Sequence, residues 1–528
     1  MAGVICSGRP VNSDILLHWP VQQYPDHVAV VFGEERPTFR GMDERINRLS
    51  WGLSGLGLAR GARVAVLMGN SAAFQEVIFA VQRAGLAVVA LNARQSPAEH
   101  ARILDDADVE ALVFDHRFAE VVRTMRGMAS TLPRCFFVGG EAPEAEPVEA
   151  LSSGQPPTPP EVEVGEDDLA RIHYTSGTSG RPKGVVITHG ENYHRLTHIL
   201  INLDQPLGPD TRNLNVGPLT HAAGLMFTVY YIRGATNVIL ERFDPEAVLR
   251  AIDAERITDV LLVPTMLGAI LRHPAIDRYD TRSLRRIWYG TAPMPVAQLR
   301  EGLRRFGPVF RQNYGMSEAS QPLTVLGPED HVVEGPEPIV RRLRSAGRPA
   351  LGMDLRVVNE AFEPVKPGER GEIVYRSRHM FQRYWKLPEE TARAFRGEWF
   401  LTGDLGTVDE DGYVYIVGRK DDLIISGGFN IQPREVEEAI LNHPAVAEVA
   451  VVGVPDERWG EAVKAVCVLR PGAQVGADEI VQVCRQHVAG YKKPRIVEFV
   501  AELPKNAAGK VERKKLRDSQ GGAGHAQA

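Results

Sequence analysis

The sequence predicts an α/β protein with three parts. A large amino-terminal domain is built on doubly wound α/β sheets, a β-barrel-like subdomain follows, and a small α+β lid domain ends the chain. Three observations predict it. Apolar strand-like runs alternate with helical patterns through residues 64–114 and again through 259–314. Beyond about residue 350 the pattern changes to short strands and turns. From Gly418 onward a new alternation begins, of a length that suits a compact unit of its own.

The first stretch is specific. Val64-Ala65-Val66-Leu67-Met68 reads as a buried strand. Ser71 then caps a helix with Phe74, Val77, Ile78 and Val81 on one face, and Gly85 ends it. Residues 88–91 form the next strand. Ser96-Pro97-Ala98-Glu99 is a capping box with proline at the first helical position. Ala111-Leu112-Val113-Phe114 is a third strand. Strands alternating with helices imply a parallel sheet covered on both faces. Residues 141–168, rich in proline and glutamate, are expected to form a surface loop.

The second stretch repeats the rhythm. Residues 259–264 form a strand, followed by a helix through Ile270. Residues 284–289 form a strand ending at Gly290-Thr291-Ala292-Pro293, and residues 309–314 form one ending at Gly315-Met316-Ser317-Glu318. In open α/β sheets, ligands sit beyond the carboxyl ends of strands, where both polar turns fall. After residue 350, Pro367-Gly368-Glu369-Arg370-Gly371 marks a hairpin in what reads as a β-barrel or meander. The last ten residues, 519–528, read as disordered.

Composition narrows the class. A chain of 528 residues is too long for one core. Hydrophobic content of 44% and charge of 24% are those of an ordinary soluble protein. A net charge of −6 argues against nucleic acid as a partner. Cys6, Cys135, Cys467 and Cys484 form no C-x-x-C pair and read as free thiols in a reducing compartment. The amino terminus lacks a basic segment followed by an apolar core, and residues 222–232 are too few to span a bilayer. A cytoplasmic location is expected. Oligomeric state is not legible, and a homodimer stays open.

The most informative segment is Tyr174-Thr175-Ser176-Gly177-Thr178-Ser179-Gly180-Arg181-Pro182-Lys183-Gly184. Glycines, hydroxyls and two cations in this order can wrap a polyphosphate, with Lys183 as a point charge. It is not the G-x-x-x-x-G-K-[ST] loop, because Gly184 follows the lysine. Apolar residues precede it and β-branched residues follow, so it should join two strands.

With four further segments in the same order, the chain resembles the adenylate-forming enzymes, which include acyl-CoA synthetases, peptide-synthetase adenylation domains and luciferases. The segments are Asn313-Tyr314-Gly315-Met316-Ser317-Glu318, Thr402-Gly403-Asp404, Gly418-Arg419-Lys420-Asp421-Asp422, and Pro504-Lys505-Asn506-Ala507-Ala508-Gly509-Lys510. The resemblance covers nearly the whole chain. It implies an amino-terminal domain over 1–420 and a mobile carboxyl-terminal domain over 421–528. It also implies a reaction in two halves. A carboxylate attacks the α-phosphorus of ATP, giving acyl-AMP and pyrophosphate, and a thiol then displaces AMP. Cations must offset the charge that gathers in the first step.

The resemblance also implies roles. Thr175, Ser176, Gly177, Thr178, Ser179, Gly180 and Lys183 would hold the phosphates. Glu318 would bind Mg²⁺, which prefers one or two carboxylates plus phosphate oxygens. Ser317 stands where the family usually has threonine. Tyr314 would stack on adenine against Gly290, Ala292 and Pro293, with Asn313, Gly315 and Met316 in the same site. Asp404 would take the ribose hydroxyls and Arg419 the sugar or phosphate. Lys510 would bridge the carboxylate and the α-phosphate, and Asp421 would be the hinge. His221, Gly224, Phe227, Tyr289, Gly290 and Met316 would line the acyl pocket, with His221 beside the reacting carboxylate. Arg94, Gly427, Gly428, Phe429, Trp459, Tyr491, Lys493 and Arg495 would meet CoA.

An apolar aryl or aliphatic acid is the expected substrate, with ATP, Mg²⁺ and CoA. A stand-alone enzyme that loads a carrier-protein thiol is the nearest alternative. A non-catalytic nucleotide- or acyl-binding relative is the alternative of another class.

Overall fold

The computed structural model describes residues 13–131, 133–175, 182–319, 321–506 and 510–518. All statements of structure refer to these residues.

The first sheet has seven strands. Parallel pairs run outward from Arg63–Leu67 to Val109–Asp115 on one side and Ala87–Ala90 on the other. Leu169–Thr175 continues the parallel order, and Lys183–Thr188 turns back antiparallel at the edge. The 174–184 segment thus joins two strands, as its flanks predict. Ser71 accepts from the Phe74 amide and caps the Ala72–Arg83 helix. The capping box of Ser96 and Glu99 is formed. The 141–168 stretch departs from expectation: it adds the edge strand Glu146–Pro147 and a short helix, Glu149–Ser152, whose Leu151 is buried.

The second sheet has eight strands, parallel through Arg286–Gly290 and Phe310–Tyr314 and antiparallel at its last two. Helices Ala72–Arg83, His189–Ile201 and Ala222–Tyr231 fill the space between the two sheets. One hydrophobic core takes residues from both sheets and all three helices, including Val66, Val88, Phe79, Ile199, Phe227 and Trp288. The apolar 222–232 stretch is therefore an internal helix. Among the described residues, no helix is long and apolar enough to cross a membrane.

The third sheet is antiparallel, with five strands. Of the two forms the sequence leaves open, barrel or meander, it takes the meander. Its path runs from Asp354–Val358 through Gly371–Arg376 to Trp399–Val408, whose far side pairs with Phe395–Arg396 and Val414–Arg419. The ends do not pair with each other, so the sheet is an open meander. A single turn of 3₁₀ helix, Lys420–Asp422, leads to the fourth sheet. That sheet has its own cores on its two faces, one around Val451, Ile440 and Cys467 and one around Val452, Leu503 and Leu516. Cys135, Cys467 and Cys484 are free and buried, and Cys6 lies outside the described residues.

Candidate active site

The site gathers where the second and third sheets meet the carboxyl-terminal part. The Phe310–Tyr314 strand delivers the turn that carries Glu318. Its backbone is fixed at two points: Phe381 N–H donates to the Glu318 carbonyl at 2.9 Å, and Arg195 Nη2 donates to the Ser317 carbonyl at 2.8 Å. The Glu318 side chain accepts from the Tyr384 hydroxyl at 3.0 Å through Oε1, which leaves Oε2 without a protein partner. One carboxylate oxygen held and one open fits a magnesium ion completed by phosphate oxygens. No cluster of three metal-ligating side chains occurs among the described residues.

Asp404 and Arg419 face each other in register across adjacent antiparallel strands. Arg419 Nε donates to Asp404 Oδ1 at 2.7 Å, and Tyr314 Oη donates to Oδ2 at 2.6 Å. Burial pulls the Arg419 guanidinium down, Asp404 outweighs that, and its pKa ends above the usual value. Burial raises the Tyr314 phenol strongly, and Asp404 adds to it. Tyr314 therefore stays a donor, and Asp404 is a carboxylate held between two fixed donors.

Gly290 lies opposite Asn313 in the parallel pair. A Cβ there would stand 2.3 Å from the Asn313 carbonyl oxygen, so only glycine lets the two strand ends converge. Thr291 follows at φ +64°, a conformation that costs a side chain energy, and exposes Ala292 and Pro293 on the cleft wall. Met316 packs in part against the core beside Tyr314.

Lys510 enters from the carboxyl-terminal part. Two hydrogen bonds tie it to Asn506: Lys510 N–H donates to Asn506 Oδ1 at 3.0 Å, and Asn506 N–H donates to the Lys510 carbonyl at 2.8 Å. The side chain keeps exposed surface in the open cleft, yet protein surrounds it on most sides. Desolvation and Arg419 pull its ammonium below the usual value, while Asp404 and Glu318 pull the other way. His221, at the start of the Ala222–Tyr231 helix, is within electrostatic reach of the same lysine. Burial, then Arg171, Lys510 and Arg94, bring its pKa to about 4, so the imidazole is neutral. Its Nδ1 lies 2.8 Å from Thr220 Oγ1.

The expected site is therefore assembled in part. Glu318, Tyr314, Asp404, Arg419, Lys510 and His221 come together from widely separated segments. Thr175 and Lys183 form the base of the phosphate hairpin, while Ser176, Gly177, Thr178, Ser179 and Gly180 lie outside the described residues. Lys183 is not a free charge: its Nζ lies 2.6 Å from Glu390 and 5.3 Å over the Tyr384 ring.

Two acyl-pocket residues are corrected. Phe227 is fully buried and packs on Phe79 and Tyr231 in the core. Tyr289 is 1% exposed and points to the opposite side of its strand from Trp288 and Gly290, where it meets His331 and Phe310. Helix and strand periodicity, not composition, turns both away. Gly224 and Met316 keep partial exposure.

The residues assigned to CoA cluster elsewhere, around the hairpin tip Gly427-Gly428. Gly427 (φ +60°) closes on Trp459, whose ring a Cβ would approach to 2.6 Å. Arg495 stands 4.2 Å from the Trp459 centroid, and Phe429 stacks on Tyr491 at 4.4 Å. Phe429 and Tyr491 are exposed. Lys493 ends the adjacent turn, and its neighbour Lys492 pairs with Glu435. Arg94 lies away from this cluster, near His221. Asp421 is exposed in the linking turn.

Sequence reasoning missed Tyr384, Glu390, Arg195, Arg171 and His173. A signal for the last two was present: Arg171, His173 and Thr175 alternate along an otherwise apolar strand, so three polar groups share one face.

Comparison with known proteins agrees with this geometry. Residues 17–385 match the family described as AMP-binding enzyme, and residues 435–510 match the AMP-binding enzyme C-terminal domain. A feruloyl-CoA synthase from Amycolatopsis sp is 39% identical over 94% of this chain and 98% of its own length. A medium/long-chain-fatty-acid–CoA ligase, FadD8, from Mycobacterium tuberculosis is 36% identical over 97% of this chain and 91% of its own. The crystal structure of the anthranilate CoA ligase AuaEII in complex with anthranoyl-AMP superposes with a TM-score of 0.87 at 28% identity, covering 97% of each chain. With both family descriptions matched in order and full-length relatives above the thirty-per-cent level, the chain belongs to the AMP-binding, adenylate-forming enzyme family.

Proposed function

We propose the following division of labour for an ATP-dependent, AMP-forming acid–CoA ligase that acts on an aryl or aliphatic carboxylic acid. The observation that carries it is the convergence of Lys510 on the cleft that holds Glu318, Asp404 and Arg419.

In the first half-reaction the acid's carboxylate approaches the α-phosphorus of ATP. Two anions must meet, and Lys510 sets its ammonium between them. His221, neutral, flanks the carboxylate without drawing off its charge. The 175–183 hairpin holds the β- and γ-phosphates, for which Lys183 must exchange Glu390. Glu318 is the residue that would hold magnesium, which neutralises phosphate charge when bound. Asp404 accepts from the ribose hydroxyls while Arg419 and Tyr314 fix its orientation. Tyr314 and the Gly290–Pro293 wall enclose the adenine. Pyrophosphate leaves and acyl-AMP remains.

In the second half-reaction the CoA thiolate attacks the acyl carbon and AMP leaves. Gly427, Gly428, Phe429, Trp459, Tyr491, Lys493 and Arg495 receive CoA, together with Arg94. Their separation from Glu318 motivates a turn of the carboxyl-terminal domain about Asp421, with the boundary at Lys420 and Asp421. The turn withdraws Lys510 and brings the Trp459 cluster to the cleft. The reading keeps the cytoplasmic placement, on its three buried free thiols, and a homodimer as the assembly to test.

The experiment is a pyrophosphate-release screen across aryl, short, medium and long acids, with and without CoA. AMP and a CoA thioester should appear together without any carrier protein. A product that forms only with a carrier protein would move the enzyme to the carrier-loading alternative. Failure to bind ATP and acid productively in any combination would leave a non-catalytic binder.

A further inference from the structure

Two polar side chains of the Leu169–Thr175 strand, Arg171 and His173, have no part in the chemistry above. They share one face of the strand. Their cross-strand neighbours Ile187 and Val185 pack against Ala319, Leu323 and Tyr384, next to the Glu318 turn. Val88, paired with Arg171 on its other side, packs beneath the helices Ala72–Arg83 and Ala222–Tyr231. Arg171 and His173 therefore look into the space between the first sheet, the His189–Ile201 helix and the His221 turn. The His173 ring stands edge-on to His221, with centroids 5.5 Å apart. Arg195 reaches the same space from its helix.

The charges there do not balance. Arg195 has the Ser317 carbonyl. Arg171 has no hydrogen-bond or ion-pair partner among the described residues, and its Nε is sealed from solvent without an acceptor. Burial alone brings its pKa down to about 10. His173 and His221 are held neutral by burial and by these neighbouring cations. Of the nearby carboxylates, Glu318 is engaged by Tyr384, and Glu191 receives the Thr188 amide at 2.8 Å through Oε2 while its Oε1 is buried without a hydrogen bond. A partly buried guanidinium with no anion beside it is poorly solvated, and an apolar side chain of the same bulk would not be. A charge kept at such a cost points to an anion that arrives with the substrate.

We propose that the acid activated here carries a second carboxylate on its apolar body, and that Arg171 receives that group as a bidentate pair with His173 beside it. The inference rests on the acid–CoA ligase reading and names its substrate class. A planar guanidinium matches a carboxylate with two parallel hydrogen bonds, which lysine cannot reproduce. A pocket built this way discriminates strongly, since a monoacid leaves the partly desolvated cation unpaired.

The test uses matched pairs of acids that share a skeleton and differ by one carboxylate, aryl and aliphatic, with the full-length chain, ATP, magnesium and CoA. The readout is the ratio of kcat/KM for the diacid to that for the monoacid, by pyrophosphate release. The wild-type ratio should favour the diacid, and Arg171→Leu should lower it by about a hundredfold. Arg171→Lys should lower it less. A second measurement guards against misfolding: unliganded Arg171→Leu should melt no lower than wild type, because an unpaired, partly desolvated charge is removed. The diacid should raise the melting temperature of wild type but not of Arg171→Leu. A wild-type preference for monoacids, or a ratio that Arg171→Leu leaves unchanged, overturns the inference and leaves the ligase reading standing. Absence of pyrophosphate release with every acid removes the ligase reading, and this inference with it.

Discussion

Tyr384 holds Glu318: its hydroxyl donates to the carboxylate at 3.0 Å, from a ring that also lies beneath Lys183. One side chain thus sets the geometry of a carboxylate and a cation that both face phosphate. Burial and the Glu318 charge push the Tyr384 phenol well above its usual pKa, so it stays a donor at any working pH. Tyr384→Phe removes one hydrogen bond to a charged group, worth about 1.5–3 kcal/mol. The expected result is a roughly tenfold to hundredfold fall in acyl-adenylate formation and a higher magnesium requirement, with little loss of fold. Magnesium titrations of pyrophosphate release check this, and an unchanged magnesium dependence would refute it.

Lys510→Ala should abolish acyl-adenylate formation yet leave conversion of supplied acyl-adenylate and CoA to thioester. The reason is its place in the carboxyl-terminal part, which the proposed domain turn would withdraw from the cleft before the thioester forms. Single-turnover assays of each half-reaction decide the matter. Equal loss in both would remove the case for a domain turn about Asp421.

Lys183 must give up Glu390 to hold phosphate. Both partners keep some exposure, so the pair is worth at most about 1 kcal/mol. Glu390→Gln should therefore lower the KM for ATP by up to about fivefold, with kcat nearly unchanged. A rise in KM would show that Glu390 supports the nucleotide site instead of competing for its lysine.

Acid should unfold the protein through its imidazoles. Burial brings His189, His221 and His331 to about 4 and His379 to about 2, from an ordinary value of 6.5. Between those values the unfolded chain binds more protons than the native one, so stability rises with pH through the window. It is fully present above 6.5 and is lost as pH falls toward 4. Glu191 and Glu76 work in the opposite sense, because burial raises both from 4.5, Glu191 to about 6, but they are two groups against four. Melting temperature measured from neutral pH down to about 4 should fall steadily. A flat profile would mean that these rings find protons or water in the folded state.

Much of the fold was legible because its signals are local. Ser71, Ser96 and Glu99 announce helix starts by side-chain hydrogen bonds within four residues, and the α/β rhythm follows from apolar spacing alone. The site was legible where a residue stands in a turn at a strand end, as Glu318 does, whereas Asp404 lies within a strand and was legible only through its segment. Side-chain direction was harder. Phe227 and Tyr289 were placed in the pocket by their neighbours in sequence, and only the helix and strand phases turn them into the core. Tyr384, Glu390 and Arg195 were missed because their roles depend on segments 66, 207 and 122 residues away. Whether the third sheet closes on itself is likewise a long-range property, and short strands with tight turns are common to both outcomes.

The three-residue turn Lys420–Asp422 acts as a short tether. Three residues, fully extended, reach only about 10 Å. In the proposed domain turn the carboxyl-terminal sheet could therefore not drift off between half-reactions, and the rearrangement would be a pivot in place. Its local concentration at the cleft stays far above any free protein concentration in solution. Severing or lengthening this leash would turn an intramolecular handover into a search.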